Sequence, residues 1–242
     1  MRKISLSRLL KALRCKVRRY ACYGKSATLS KFWFYGLRPD PFRTIWIDPE
    51  LLVRPSYKPV PKKKYRVTSV VGGNWDQQTR DFKQNDLFVS MQLHFVDGLR
   101  WEDTPYYRMA VANITSGIPF WHQSKTIAEL EARCTAIDEL FDNIRRNGFL
   151  PPTGVEEITT GVASSCVPDG VKVAFGRTGT PLHITGRHRL SIALILNLKT
   201  IPVQVAVRHS EWERFRSHSR RAARRRVGSE SVNHPDLEYL LP

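Results

Sequence analysis

Between Val171 and His209 the chain reads VKVAFGRTGTPLHITGRHRLSIALILNLKTIPVQVAVRH, and this stretch limits the available folds more than any other. Val171, Val173 and Phe175 alternate with other residues, a glycine-containing turn follows at Arg177–Thr180, and Leu182 and Ile184 alternate again. That pattern predicts a β-hairpin. After Thr185-Gly186-Arg187-His188-Arg189 come Leu190, Ile192, Ala193, Leu194, Ile195 and Leu196. The run is apolar nearly all round, so the helix it forms is expected to be covered on more than one side. Asn197 is a fair stop, and IPVQVAVRH reads as a strand with Val203, Val205 and Val207 on one face. A hairpin, a buried helix and a strand in that order predict a mixed sheet packed by helices, in the α/β (α+β) class.

The segments before it fit the same class. Ile127, Leu130, Cys134, Ile137, Phe141 and Ile144 recur at steps of three and four and predict one face of a helix over 124–148. Ser124 is the expected N-cap, and Asn147-Gly148, followed by Pro151-Pro152, the expected stop. Cys134 falls on the apolar stripe and is expected as a small core residue. Thr44–Ile47 reads as a short strand ended by Asp48-Pro49, and RPSYKPVPKKK at 54–64 as an extended linker or insertion. A further strand is expected to run into Gly72-Gly73, where a glycine pair signals a tight turn or a close backbone approach. Residues 86–98 are expected to be helical without a clean period, and Trp101–Tyr107 to be an aromatic, acidic loop.

Charge divides the chain more sharply than hydropathy does. Lysine and arginine outnumber aspartate and glutamate 39 to 22, a net charge of +17, which favours a polyanionic partner. Residues 1–25 contain no acid, and a second basic block runs through Arg214, Arg216, Arg220, Arg221, Arg224, Arg225 and Arg226. The expected organisation is a basic N-terminal arm at 1–42, a body at 43–210 with an insertion at about 60–120, and an Arg-rich C-terminal tail at 211–242. Residues 4–17 read as a basic amphipathic helix that docks its leucines on the body or lies on an anionic surface. The partners that follow are a nucleotide, DNA or RNA gripped by the arms, and a membrane surface touched by residues 1–19. The second basic block lacks aromatics interleaved with its arginines for base stacking, apart from Trp212 and Phe215. Four scattered cysteines, without a C-x-x-C pair, read as reduced thiols. No apolar run approaches the roughly 18 residues of a membrane span, and charges interrupt any signal-peptide core, so a cytoplasmic location is expected.

The residues with chemistry lie at Thr185, Gly186, Arg187, His188 and Arg189. A strand ends, a glycine permits a sharp turn, and a helix begins whose free N–H groups and dipole favour an anion. Arg187, His188 and Arg189 are expected to add three cationic donors there, and arginine forks suit phosphate oxygens. The alternative is that Arg189 pairs with an acid in the core and His188 bonds locally. A base to accept a hydroxyl proton is sought at Glu156 and Glu157, or at Asp76, although surface acids of this kind are ordinarily solvated. The histidines show no metal-ligand spacing.

The order of these elements resembles the ParB/sulfiredoxin superfamily, in which a hairpin leads to a glycine–x–[His/Arg]–Arg motif at a helix start, then an alanine-containing helix and an "IPV" strand. The helix ending at Gly148 resembles that family's preceding element, and Arg43–Val53 its opening strand, so the resemblance covers about 43–53 and 124–210. It implies a fold with an inserted subdomain at 60–120. It also implies a nucleoside triphosphate, ATP or CTP, carried with Mg2+ at this turn, with Gly186 as the motif glycine and His188 and Arg189 as the phosphate-contacting pair. The implied activity is that of a nucleotide-dependent phosphotransferase or NTPase; the alternative is DNA or other nucleic-acid binding through the arms without catalysis. Sulfiredoxin's cysteine and ParB's glutamate both fall where this chain has Arg187, so neither sulfinic-acid reduction nor the ParB nucleotide switch is expected.

Overall fold

The computed structural model describes residues 43–53, 69–77, 81–149, 170–224 and 234–238. Strand β1 spans Thr44–Ile47 and β2 Ser69–Val71; helix α1 spans Asp86–Phe95, α2 Pro105–Thr115 and α3 Ile127–Asn147. The hairpin β3, Val171–Phe175, and β4, Pro181–Thr185, follows; then come helix α4, Arg187–Ile195, strand β5, Ile201–His209, and helix α5, Ser210–Arg224.

The last strand among the described residues is the centre of the sheet. β3 lies parallel along one side of β5, with β4 antiparallel at the edge beyond it. On the other side β1 and β2 share the edge end to end. β1 runs antiparallel against Ile201–Gln204, and β2 parallel against Val207–His209. All nine residues of β5 are buried, as a β-branched central strand requires. The expected single face for Val203, Val205 and Val207 is corrected. Val173 pairs with Val205 but Ala174 with Val207, so β5 carries one extra residue. That bulge turns Val207 to the face shared with Ala174 and Leu182, whereas Val203 and Val205 pack on the opposite face with Val173 and Phe175.

Helix α4 lies between two packed layers. Leu190, Ala193 and Leu194 join the sheet's core with Val173 and Val203, while Ile192 joins a second core made with α1, α2 and α3. Five consecutive residues, Leu190 to Leu194, are buried. Each fully buried aliphatic side chain contributes about 1.5–3 kcal/mol, so this helix is held by packing more than by propensity.

The stretch expected as an insertion supplies β2 to the sheet and α1 and α2 to the second core. Trp101–Tyr107 is corrected from a loop to a 3-10 turn at Trp101–Asp103 followed by the start of α2, with Pro105 in its first turn. Proline suits the first helical turn, where its missing N–H costs nothing. Trp101, Tyr106 and Tyr107 are all buried in the second core. The N-cap of α3 is Thr126 in place of the expected Ser124: the Glu129 N–H donates to Thr126 Oγ1 at 3.2 Å, and the Lys125 N–H donates to Glu129 Oε2 at 2.6 Å.

Beyond residue 210 the arginine-rich segment is a packed helix in its described part. Trp212, Glu213, Arg216 and Ser217 are buried, and the 234–238 turn folds back on them with Asp236 and Leu237 buried. Arg208 grips Asp236 through two bonds, Nε to Oδ2 at 2.9 Å and Nη2 to Oδ1 at 2.6 Å. Arg216 Nε lies 2.9 Å from Asp236 Oδ2, its Nη1 pairs with Glu213, and Trp212 Nε1 donates to Asp236 Oδ2 at 2.9 Å. The β5 bulge places Arg208 on this side. Two guanidiniums thus meet two carboxylates inside the protein, the only arrangement in which such burial is tolerable. The expected basic arm at 1–42 and the linker at 54–64 lie outside the described residues. No helix among the described residues is long and apolar enough to cross a membrane.

Candidate functional site

Helix α4 opens at Gly186, whose φ of 91° and ψ of 34° are left-handed, and no side chain caps the helix. Glycine is required there twice over. An L side chain is disfavoured at this φ, and a Cβ would stand 2.8 Å from the Gly170 carbonyl oxygen and 2.9 Å from Val171 Cα. The close approach is to the protein's own β3, so packing alone accounts for this glycine. The absence of a side-chain cap leaves the helix dipole's partial positive charge facing outward at the turn.

The sequence motif supplies part of the site's charge. Thr185 and Arg187 are exposed, and His188 and Arg189 are half-buried. Arg133 from α3 and His122 from the loop before it act electrostatically on His188, as do Arg187 and Arg189. Those four neighbours are all basic, and they come from three separate parts of the chain. Arg187 also interacts with the Tyr106 hydroxyl at the start of α2.

His188 itself is corrected from the expected cationic donor. Its Nε2 accepts a hydrogen bond from Trp121 Nε1 at 2.9 Å, so that nitrogen is unprotonated and the ring is neutral. Burial, followed by the surrounding positive charges, pushes its pKa down to about 3. The ring therefore anchors the turn to Trp121 and adds no charge of its own.

Trp121 belongs to an unusual loop. Trp121, His122 and Gln123 have φ values of 40°, 64° and 69°, three consecutive non-glycine residues in left-handed conformation. Such residues cost about 1–2 kcal/mol each relative to right-handed backbone. Reciprocal bonds hold the loop shut, Phe120 N to Ser124 O at 3.0 Å and Ser124 N to Phe120 O at 2.8 Å. The Trp121 ring packs edge-on against Trp101 and Tyr106, at 5.7 and 4.8 Å between ring centroids. His122 is exposed at the tip, its ring 5.2 Å from that of His188.

Beneath the turn, His183 on β4 is 3% exposed and stands edge-on to Phe82, 5.2 Å between centroids. A backbone bond ties it to Thr185, while its Nε2 has no hydrogen-bond partner. Burial first, and Arg187 second, push its pKa down to about 4.

Asp76 is not brought to this turn. Asp76 receives bonds from the Arg177 backbone N–H at 2.8 Å and from Arg177 Nε and Nη2 at 3.0 and 2.8 Å. Burial pushes the Asp76 carboxyl up, but these bonds outweigh it and hold the pKa below the usual carboxylate value. Arg177 follows the C-terminal end of β3, whereas Gly186 touches its start at Val171. The two are separated by the length of the strand, about 13 Å at ~3.3 Å per residue. Glu156 and Glu157 lie outside the described residues. Among the described residues no group of three or more His, Cys, Asp or Glu side chains could hold a metal ion, so they supply no protein cage for Mg2+. Cys134 is buried on α3, and burial pushes its thiol up to about 12, which makes it an inert core residue.

Sequence reading misses Trp121, His122 and Arg133. The loop contains none of the glycine, asparagine or aspartate that ordinarily marks left-handed backbone, and Arg133 looks like one more solvated position on α3. No family model matches the chain, and neither a curated protein nor a solved structure matches it.

Proposed function

We propose that the turn at Thr185–Arg189 binds the phosphates of a nucleoside triphosphate, in a fold of the ParB/sulfiredoxin type. The observation that carries this reading is the convergence of Arg187, Arg189, Arg133 and His122 on the uncapped start of α4. Helix starts of this kind favour anions, and guanidinium groups match phosphate oxygens in pairs. The unpartnered Nε2 of buried His183, directly behind Thr185, adds a polar group that the protein itself leaves unsatisfied. His188 serves as the positioning residue, because its bond to Trp121 fixes the first turn of α4 against the helical layer. Magnesium would arrive with the triphosphate and be held chiefly by it.

The reading is one of binding. Asp76 is committed to Arg177 and stands a strand's length away, so it supplies no base for phosphoryl transfer at this turn.

Melting temperature measured with ATP, CTP, GTP and ADP plus magnesium tests the proposal. A ligand at a hundred times its Kd stabilises by about 2.7 kcal/mol, and the shift should vanish in Arg187→Ala and in Arg189→Ala. If no nucleotide shifts the well-folded wild type, the turn is structural and the proposal is lost.

A further inference from the structure

Helix α5 divides its arginines between two tasks. Arg216 is 2% exposed and locked into the buried network with Asp236, whereas Arg214 and Arg221 are exposed. His218 is exposed between them, and Arg214, His218 and Arg221 fall on one side of the helix at spacings of four and three. Beside this row Phe215 is 41% exposed and stacks on the Trp212 ring, 5.2 Å between centroids and 22° between planes. Trp212 is in turn held by its bond to Asp236 at 2.9 Å. The protein thus presents a fixed aromatic face next to a row of cations, and the buried ion pairs on the opposite side stop the helix from rolling that row inward.

We infer that this face of α5 binds single-stranded nucleic acid, with Arg214 and Arg221 on backbone phosphates and Phe215 stacked on a base. Charge complementarity selects the partner. The face is basic, with one acid, Glu211, at its head, and the chain as a whole carries +17. Arg214 and Arg221 are two turns apart, about 10 Å, so they can hold separate phosphates of one strand. A half-exposed ring beside cations is the pairing that grips single strands, whose bases are open to stacking. A bilayer would ask for a continuous apolar stripe, and Phe215 is the only large apolar side chain exposed on the described helix. The inference is independent of the phosphate site at α4.

The test is the binding of labelled oligo-dT and oligo-U, a duplex of equal length, and phosphatidylserine vesicles to the full chain over a salt series. Single strands should bind best. The Arg214→Ala/Arg221→Ala variant should lower the slope of log affinity against log salt by about 1.4, the value for two lost single-strand phosphate contacts. Phe215→Ala should weaken binding about tenfold at unchanged slope, as expected for a lost stack. The inference is overturned if the wild type binds no oligonucleotide, if vesicles are bound in preference, or if the folded variants keep the wild-type affinity and slope.

Discussion

The two ends of β3 use arginine in opposite ways. At the C-terminal end, Arg177 meets Asp76, and nearby Arg208 and Arg216 meet Asp236 and Glu213, each guanidinium answered by a carboxylate. At the N-terminal end, Arg187, Arg189, Arg133 and His122 surround His188, and no acid joins them in acting on that ring. The first arrangement is folding machinery: it fastens the 234–238 turn and α5 to the sheet. The second gathers basic side chains from three parts of the chain around one neutral ring, at a turn whose Gly186 is explained by its contact with β3 and whose His188 is held by its bond to Trp121. Residue type alone does not tell these two arrangements apart.

The largest test of this contrast removes one carboxylate from the paired end. Asp236→Asn leaves Arg208 and Arg216 buried with half their counter-charge, and breaking a buried pair from one side costs about 3–5 kcal/mol. Urea unfolding should show that loss; a cost below about 1 kcal/mol would mean that the network is not desolvated.

Both ends respond to pH, and the histidines at the α4 end carry the largest shifts. His183 and His188 have folded pKa values depressed to about 4 and about 3 from an ordinary 6.5, so the unfolded chain takes up their protons first. Their contribution is complete above pH 6.5 and lost as the pH falls toward 4 and 3, with a slope approaching 1.4 kcal/mol per pH unit for each, about 2.7 together. Asp236 is also depressed: burial raises it, but the charges and bonds of Arg208 and Arg216 prevail, so its contribution is lost only as pH falls below the ordinary 3.8. His234 in the 234–238 turn is also pushed below its ordinary value, by burial first, so stability measured from pH 7 to 4.5 reports both ends, and the difference between the wild type and a His188 variant isolates the α4 end. In His188→Gln the slope should fall by up to about 1.4 kcal/mol per pH unit, and an unaltered slope would show that the ring is not held neutral by Trp121.

A smaller effect sharpens the account of Gly186. Gly186→Ala should cost about 1–2 kcal/mol for the left-handed backbone, plus whatever β3 must yield to the new methyl, with no ligand present. A neutral substitution would show that the start of β3 gives way freely.

Much of this architecture was legible in the sequence because it follows period. Alternation marked β1 and the β3–β4 hairpin, the three-four step marked α3, and the all-round apolar run marked α4 as a helix between layers. The failures have specific causes. Trp101–Tyr107 lacks a helical period at its start, and its proline looks like a breaker although it occupies a first turn. The bulge in β5 breaks alternation without a glycine to announce it. The segment of α5 read as a basic tail because the acid that buries Arg216, Asp236, lies beyond the helix in sequence. In the candidate site, the glycine and arginines at 186–189 were visible, whereas Trp121, His122 and Arg133 arrive by tertiary packing and the neutral state of His188 depends on one of them.

The position of β5 has a consequence for how the molecule comes into being. Of the described strands, all but β4 pair directly with β5, and β4 reaches it through β3, yet β5 is the last of the five to leave the ribosome. Until about residue 209 has been synthesised, β1, β2 and the β3–β4 hairpin have no common partner, and their apolar faces and open edges must wait. Sheets assembled from such distant pieces close slowly and are exposed to wrong pairing meanwhile. A nascent chain halted before residue 200 should therefore be a client for chaperones, with the helical layer of α1–α3 as the part best placed to form early.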